Sequence, residues 1–203
     1  MKHLERKIGI PFRNKNMLLA ALTHPSHQNE GRAIRMPEHF QRLEFLGDAI
    51  LNLFIATKLY ELFPKANEGL LSRMRSILVS KKLLGRMARS IRLERSLKLG
   101  ARERALPKPV QEKILSDAFE ALIAALYFDR GKKVTERFLV KLFKPYFNQK
   151  KLFAFDPNPK STLQEYVQKN FGVLPAYQTQ HKKDRTGFIA WITVQGKMRT
   201  KGG

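Results

Sequence analysis

Apolar residues recur every three or four positions through most of the first 150 residues, which is the spacing of one face of an α-helix. The segments that show this spacing are 17–24, 39–63, 70–91, 112–130 and 134–147. Helix breakers lie between them at Pro64, Gly69, Gly100, Pro107 with Pro109, and Gly131. We therefore predict an all-α domain over residues 1–150.

The pattern changes after residue 150. Two prolines in DPNP predict an extended linker over residues 151–158. Ser161 is the predicted N-cap of a short helix, STLQEYVQKNF. Two runs rich in aromatic and β-branched residues, LPAYQTQHK and TGFIAWITVQGK, then predict two strands joined by the turn HKKDRTG. We expect a second, small α+β domain over residues 159–203.

The chain is strongly basic: 39 Lys and Arg against 17 Asp and Glu give a formal net charge of +22. Charge of this size opposes compaction and indicates a polyanionic partner. Nucleic acid is the leading candidate, and an anionic membrane surface or the ribosome is the alternative. Basic residues are dense at 81–105, where they either form a solvated helix face or follow phosphates.

Several classes of protein are excluded by composition. The chain has no cysteine, which excludes a disulfide scaffold and a thiolate zinc site. No apolar run approaches the roughly 20 residues of a membrane span, and the first residues show no hydrophobic signal core. We expect a soluble, cytoplasmic protein with no membrane partner and no small-molecule substrate.

Four acidic residues interrupt the apolar faces of two predicted helices. Glu44 and Asp48 lie one turn apart in QRLEFLGDAI, and Asp117 and Glu120 lie one turn apart in SDAFEALIAALYF. Residues three or four apart on a helix differ in direction by about 60° or 40°, so each pair projects from one side. Both pairs therefore lie on faces that would otherwise pack inward.

Burying these carboxylates requires compensation. An unpaired buried carboxylate is costly, and two in one dry site force one to be protonated. A divalent cation removes both costs, and Mg²⁺ favours a few carboxylates together with water and phosphate oxygens. Beside a phosphodiester, such an ion can activate water and stabilise the leaving oxygen. The alternative is structural ion pairing with Arg42, Arg73 or Arg75.

Four segments, in chain order, resemble motifs of the ribonuclease III family: LTHPSH, QRLEFLGDAI, NEGLLSRMRSILVS and ILSDAFEALIAALYFDRG. The family signature usually reads ERLEFLGD, so Gln41 replaces a glutamate at a position outside the four acids. The resemblance extends from about residue 5 to about residue 200. It implies the all-α ribonuclease III endonuclease fold, followed by a small α+β double-stranded-RNA-binding domain.

The activity that this resemblance implies is Mg²⁺-dependent cutting of double-stranded RNA, with Mn²⁺ as a substitute ion. The products would carry 5′-phosphates and short 3′ overhangs. Processing of ribosomal RNA and of other structured precursors, including mRNA and tRNA, is the expected cellular work. Glu44, Asp117 and Glu120 match the family's metal-binding carboxylates, and Asp48 and Glu120 match its catalytic residues, with Asp48 orienting the attacking water.

The resemblance also implies a homodimer with one active site for each strand of the duplex. Phe45 matches an aromatic residue that family members insert into a socket on the partner subunit. From the residues alone, an ordinary core phenylalanine is the alternative. Glu68 matches a further acid near the site, and a simple acid at a helix start is its alternative.

The C-terminal segment STLQEYVQKNFGVLPAY resembles the start of a double-stranded-RNA-binding domain. Ser161, Gln164 and Glu165 match first-helix positions that touch the minor groove, with helix capping and solvation as their alternative role. Lys182 and Lys183 lie in the turn where the family places phosphate-binding residues.

That turn departs from the family, because Lys182 and Asp184 replace its usual proline and histidine. The family's domain also continues into a final helix that this sequence does not contain. We therefore expect residues 156–203 to form an incomplete domain that is marginally folded and binds a duplex weakly. A non-catalytic RNA-binding scaffold of the same fold is the alternative function, and a basic membrane-surface protein is a more distant one.

Overall fold

The computed structural model describes residues 1–30, 37–148, 152, 159–181, 188–195 and 197–202. The chain forms two compact units, Met1–Phe155 and Asp156–Gly203. Among the helices of the described ranges, none combines the length and apolar character that crossing a membrane requires.

The first unit is helical, which confirms the all-α prediction. Its helices are α1 (Lys2–Ile8), α2 (Lys15–Ala21), α3 (Pro37–Leu62), α4 (Glu68–Leu78), α5 (Lys81–Ser90), α6 (Ala101–Arg104), α7 (Lys108–Arg130) and α8 (Lys132–Phe143). Short 3₁₀ turns occur at Pro25–Glu30, Leu93–Arg95 and Lys144–Tyr146.

Helix α7 lies at the centre of this unit. Every residue from 114 to 126 is buried, and the helix packs against α2, α3, α5 and α8. A helix buried on all sides is expected where its sequence is apolar on all sides, as in the run ALIAAL within α7. Asp117 and Glu120 are the charged residues within this buried stretch, so the central helix contributes two buried carboxylates.

Two predicted boundaries in this unit were wrong. The segment predicted as one helix over residues 70–91 is divided between α4 and α5, because the Ser80 hydroxyl accepts a hydrogen bond from the Leu83 backbone N–H at 3.3 Å and caps α5. Helix α7 begins at Lys108, ahead of the predicted start at 112, with Pro109 in its first turn. Proline is tolerated there because that turn lacks intrahelical N–H partners.

The second unit combines α9 (Pro159–Phe171) with an antiparallel sheet in the order β1 (Ala176–His181), β2 (Phe188–Val194) and β3 (Lys197–Gly202). Thr193 pairs with Ala176 on one side and with Met198 on the other. The predicted α+β class is confirmed. The predicted linker lies outside the described residues apart from Leu152, which is buried.

Two details of the second unit differ from the prediction. The helix begins at Pro159, so Ser161 lies inside it and is not its N-cap. A third strand, KMRTKG, follows β2 after Gln195, whose φ is 51°. Half of its residues are basic and Met198 is its one large apolar residue, so it lacks the run of aromatic and β-branched residues that predicted the other two strands.

Candidate active site

Helices α3 and α7 are in direct backbone contact at Gly47. A Cβ atom at this position would overlap the main-chain carbonyl of Glu120 and would lie 3.1 Å from its Cα. Glycine is therefore required, because any side chain would force the helices apart. Glu44 and Asp48 lie on either side of this glycine in the chain, so the contact brings the acids of α3 to those of α7.

Three of the four predicted acids meet at this crossing. Carboxylate oxygens of Glu44, Asp117 and Glu120 all lie within 4.8 Å of one another, and we call these three residues the acid cluster. Asp117 and Glu120 are buried, and Glu44 is half-buried. Carboxylates converge this closely only when a cation offsets their repulsion or when some of them bind protons.

The fourth acid, Asp48, lies at the edge of the acid cluster. It is exposed, and its carboxylate accepts a hydrogen bond from the Asn52 amide at 2.9 Å. Asp48 lines an open groove of about 420 Å³ together with Gln41, Glu44, Phe45, Lys81 and Glu120. The structure thus places one carboxylate towards solvent, beside three that are largely enclosed. The prediction that both acid pairs lie on inward-packing faces is therefore wrong for Asp48.

Two lysines compensate the buried acids. The Lys81 ammonium donates to Asp117 Oδ1 at 2.8 Å and to both Glu120 oxygens at 3.2 Å. The Lys113 ammonium donates to Asp117 Oδ2 at 3.0 Å. Neither lysine was predicted from the sequence as a partner of these acids.

Lys81 carries no distinctive signal in the sequence. It is the first residue of α5, directly after the capping Ser80. A positive charge is disfavoured at a helix N-terminus, but α1, α2, α7 and α8 also begin with lysine. The role of Lys81 therefore follows from the packing of α5 against α7.

The electrostatics of the acid cluster favour positive charge. Burial raises the pKa of Glu120 to about 7; Lys81 opposes this shift, and the charges of Asp48 and Asp117 add to it. Burial, and then the charge of Asp117, raise the pKa of Glu44 as well. Burial alone would lower the pKa of Lys81, but its hydrogen bonds and the charges of Asp117 and Glu120 raise it overall. The donors are all oxygen, which suits a hard divalent cation.

The structure also locates Phe45 and Glu68, for each of which the sequence left two roles open. Phe45 is 79% exposed beside the groove, which rules out the ordinary core role. Glu68 accepts a hydrogen bond from the Ser72 hydroxyl at 2.9 Å in the first turn of α4. It lines a separate groove with Tyr60 and Arg75 and is not among the residues that line the groove beside the acid cluster.

The RNA-binding residues predicted in the second unit are only partly described. Ser161, Gln164 and Glu165 lie on α9, where Gln164 is half-buried and Glu165 is exposed. Lys182 and Lys183 lie outside the described residues.

Known proteins resemble this chain in sequence and in fold. A family model described as ribonuclease-III-like matches residues 14–146. This chain belongs to the ribonuclease III family. The family predicted from the four sequence motifs is therefore confirmed.

Relatives and solved structures agree with this assignment. The protein named Ribonuclease 3 from Nitratidesulfovibrio vulgaris is 41% identical over 174 residues, covering 86% of this chain and 68% of that protein. Ribonuclease 3 from Dehalococcoides mccartyi is 38% identical over 209 residues, covering 100% of this chain and 86% of that protein.

The crystal structure of the nuclease domain of ribonuclease III from Campylobacter jejuni has a TM-score of 0.61 at 32% identity, covering 73% of this chain and 97% of that one. A second structure of the Campylobacter nuclease domain has a TM-score of 0.60 at 32% identity, covering 70% of this chain and 95% of that one, and is described as flexible in a region involved in dimer formation.

Proposed function

We propose that this chain hydrolyses phosphodiester bonds of double-stranded RNA as a metal-dependent endoribonuclease. The observation that carries the proposal is the acid cluster: three carboxylates from α3 and α7 converge within 4.8 Å, on a protein with a net charge of +22. Endoribonuclease activity on double-stranded RNA is the activity of the ribonuclease III family, to which the chain belongs.

Glu44, Asp117 and Glu120 are the residues that would hold Mg²⁺, with Mn²⁺ as a substitute. Their oxygen-only donor set and the lysine ammonium among them both indicate a cation-binding site. When bound, the ion supplies Lewis-acid chemistry: it polarises the phosphoryl group, lowers the pKa of water and stabilises the leaving oxygen.

The remaining groups orient the reactants. Asp48 is exposed at the groove and held by Asn52, where its carboxylate can orient the attacking water and accept a proton from it. Attack at phosphorus with departure of the 3′ oxygen leaves a 5′-phosphate and a 3′-hydroxyl, which takes up one proton. Glu120 is assigned both a metal-binding and a catalytic role, because it belongs to the acid cluster and also lines the groove beside Asp48.

A homodimer is supported by an exposed apolar stripe on α3. Phe45, Leu53 and Tyr60 are 79%, 67% and 75% exposed, and their directions around the helix lie within about 80° of one another. Exposed aromatic and aliphatic side chains on one face are typical of protein interfaces. Two copies joined there would present one site to each strand, and staggered cuts would leave short 3′ overhangs.

The second unit is proposed to bind the duplex. The residues assigned to this contact are Ser161, Gln164 and Glu165 on α9, together with Lys182 and Lys183. The chemistry is shape recognition of an A-form duplex through minor-groove hydroxyls and phosphates. The cellular role we propose is processing of ribosomal RNA and other structured precursors in the cytoplasm.

A duplex-cleavage assay tests the proposal. Wild type should cut a long RNA duplex with Mg²⁺, and should bind it without cutting when Ca²⁺ is supplied. Glu120→Gln should retain duplex binding and cut at least about 100-fold more slowly, on the scale of losing one group that stabilises the transition state. Duplex binding with no cutting by wild type in either ion would favour the scaffold alternative. Equal cleavage rates for wild type and Glu120→Gln would contradict the assignment of the site.

A further inference from the structure

The Lys81 ammonium lies among the oxygens of the acid cluster. It contacts Asp117 Oδ1 at 2.8 Å and both Glu120 oxygens at 3.2 Å, and Asp117 and Glu120 are two of the three residues whose oxygens converge within 4.8 Å. We propose that Lys81 is a tethered counter-ion that competes with the metal for the acid cluster and leaves it when the metal binds. The inference rests on the metal site of the proposed function.

The two cations compete for the same oxygens. Mg²⁺ binds oxygen at about 2.0–2.1 Å, so an ion held by both Asp117 and Glu120 would lie close to the position between their oxygens that the Lys81 ammonium now occupies. Two positive charges at neighbouring positions in a largely buried site also repel strongly. Metal binding therefore requires the ammonium to move.

The Lys81 ammonium can move away from the acid cluster. Its side chain is 48% exposed, and it lines the open groove together with Gln41 and Asp48. A lysine side chain has a flexible four-carbon stem and a compact charge, so the ammonium can turn into the groove while α5 stays in place. There it would lie in the same groove as Asp48, which is assigned to the attacking water, and a phosphate of the bound RNA could become its partner.

The position of Lys81 on α5 strengthens the argument. As the first residue of the helix after the Ser80 cap, its charge is disfavoured by the helix dipole. Within the described residues, the compensating interaction is the pair of carboxylates on α7. The lysine is thus held by the acids, and it loses that support when a metal takes its place.

Lys81 has a cost and a benefit for the enzyme. In the metal-free protein it keeps mutually repelling carboxylates together, so the ligands are already assembled. The same attraction opposes the incoming ion and lowers the affinity of the site for metal. The metal concentration at which the enzyme becomes active is therefore set in part by this lysine.

Direct metal binding tests the inference without RNA or catalysis. The full chain is titrated with Mn²⁺ at pH 8, and free Mn²⁺ is followed by electron paramagnetic resonance. Lys81→Met should bind Mn²⁺ about tenfold more tightly than wild type or better, which corresponds to about 1.4 kcal/mol. Lys81→Arg keeps the charge and should stay close to wild type. Lys133→Met is the matched control, because it removes an exposed lysine from the first turn of another helix.

The outcomes separate this inference from the metal proposal itself. Equal or weaker binding by Lys81→Met, with Mn²⁺ binding lost in Asp117→Asn, would overturn the competition and leave the metal site standing. No Mn²⁺ bound by wild type would overturn both. If Lys133→Met gained as much Mn²⁺ affinity as Lys81→Met, the total charge of the protein would be responsible, and the inference would again be overturned.

A second measurement, of thermal stability, keeps the test valid if Lys81→Met is less stable than wild type. Its Tm in EDTA should be lower than that of wild type, because the acids lose their counter-charge. Its rise in Tm on adding Mn²⁺ should be larger, since tighter binding to the folded state stabilises it more. A smaller rise than in wild type would contradict the proposed competition.

Discussion

The backbone of Gly47 lies directly against the main-chain carbonyl of Glu120, with the position of a Cβ atom overlapping that carbonyl and 3.1 Å from the Glu120 Cα. This contact fixes how α3 presents its acids to α7. Gly47→Ala should push the helices apart and lower the free energy of unfolding by about 3 kcal/mol or more, at the upper end for overpacking. Urea denaturation measures this loss, and duplex cleavage should be lost with it.

Gly69→Ala is the matched control. A Cβ atom there would have Asn67 Oδ1 as its near neighbour at an ordinary 3.8 Å, and the residue lies in the first turn of α4. Alanine in a helix is more favourable than glycine by about 0.5–1 kcal/mol, so stability should hold or rise slightly. A loss as large as that of Gly47→Ala would contradict the steric explanation.

Metal affinity should depend on pH because of Glu120. Its pKa of about 7 means that protons compete with the metal below neutrality. For one such group, the apparent affinity for Mn²⁺ should be about tenfold weaker at pH 6 than at pH 8. Mn²⁺ titrations at the two pH values measure this difference, and identical affinities at both would argue against it.

The same shift in pKa affects the stability of the metal-free protein. The folded-state pKa of Glu120 lies above its ordinary value of 4.5, so ionisation costs more in the folded than in the unfolded chain. Stability in EDTA should therefore fall as the pH rises from 4.5 to about 7. Glu120→Gln should show a smaller fall, and urea midpoints across this range measure both proteins.

Removing the exposed aromatic ring should weaken self-association. Phe45→Ser removes a side chain that is 79% exposed, so the free energy of unfolding of the subunit should change by no more than about 0.5 kcal/mol. If Phe45 anchors the dimer, the dissociation constant should rise by about 30-fold or more, which is the effect of an interface hot spot. Sedimentation equilibrium reports the change.

Val140→Ser provides the comparison for the dimer. It removes an apolar side chain that is 39% exposed on α8, and self-association should stay at the wild-type level. A dimer constant that is unchanged in Phe45→Ser would exclude the proposed contact.

RNA binding should weaken steeply with salt. The net charge of +22 indicates several phosphate contacts, and a protein with 6–10 of them loses about 10³–10⁵ in affinity between 50 and 200 mM salt. Glu120→Gln with a labelled duplex allows the measurement without cleavage, by fluorescence anisotropy. A shallow salt dependence would contradict the use of the basic surface for RNA.

The backbone amide hydrogens of the sheet in the second unit should exchange rapidly with solvent. Residues 189–193 of β2 are half-buried, and the described core of this unit includes Val167 and Val194. Few buried apolar contacts permit frequent local opening. Hydrogen exchange should show α7 protected for much longer than β2, and slow cooperative protection of β2 would contradict the expectation.

Much of the active site could be predicted because its signals are local. Glu44 and Asp48 lie one turn apart, as do Asp117 and Glu120, and each pair interrupts an apolar face. Periodicity therefore located the acids, and the family resemblance supplied the meeting of the two helices. Spacing alone could not show that they face each other, because the contact at Gly47 joins distant parts of the chain.

Other features escaped prediction for identifiable physical reasons. Lys81 acts on acids of a different helix, so its role depends on how α5 and α7 pack. The break between α4 and α5 depends on a single capping hydroxyl, that of Ser80, inside a continuous apolar pattern. Strand β3 is held by pairing with β2, and its own sequence has a single large apolar residue, Met198.

The two halves of the acid cluster are translated at different times. Glu44 emerges from the ribosome well before Asp117 and Glu120, and the groove is not assembled until α7 has been synthesised and has docked against α3. On the proposed mechanism, a nascent chain therefore cannot cut RNA before α7 has docked against α3. Nuclease competence begins only once the central helix is in place.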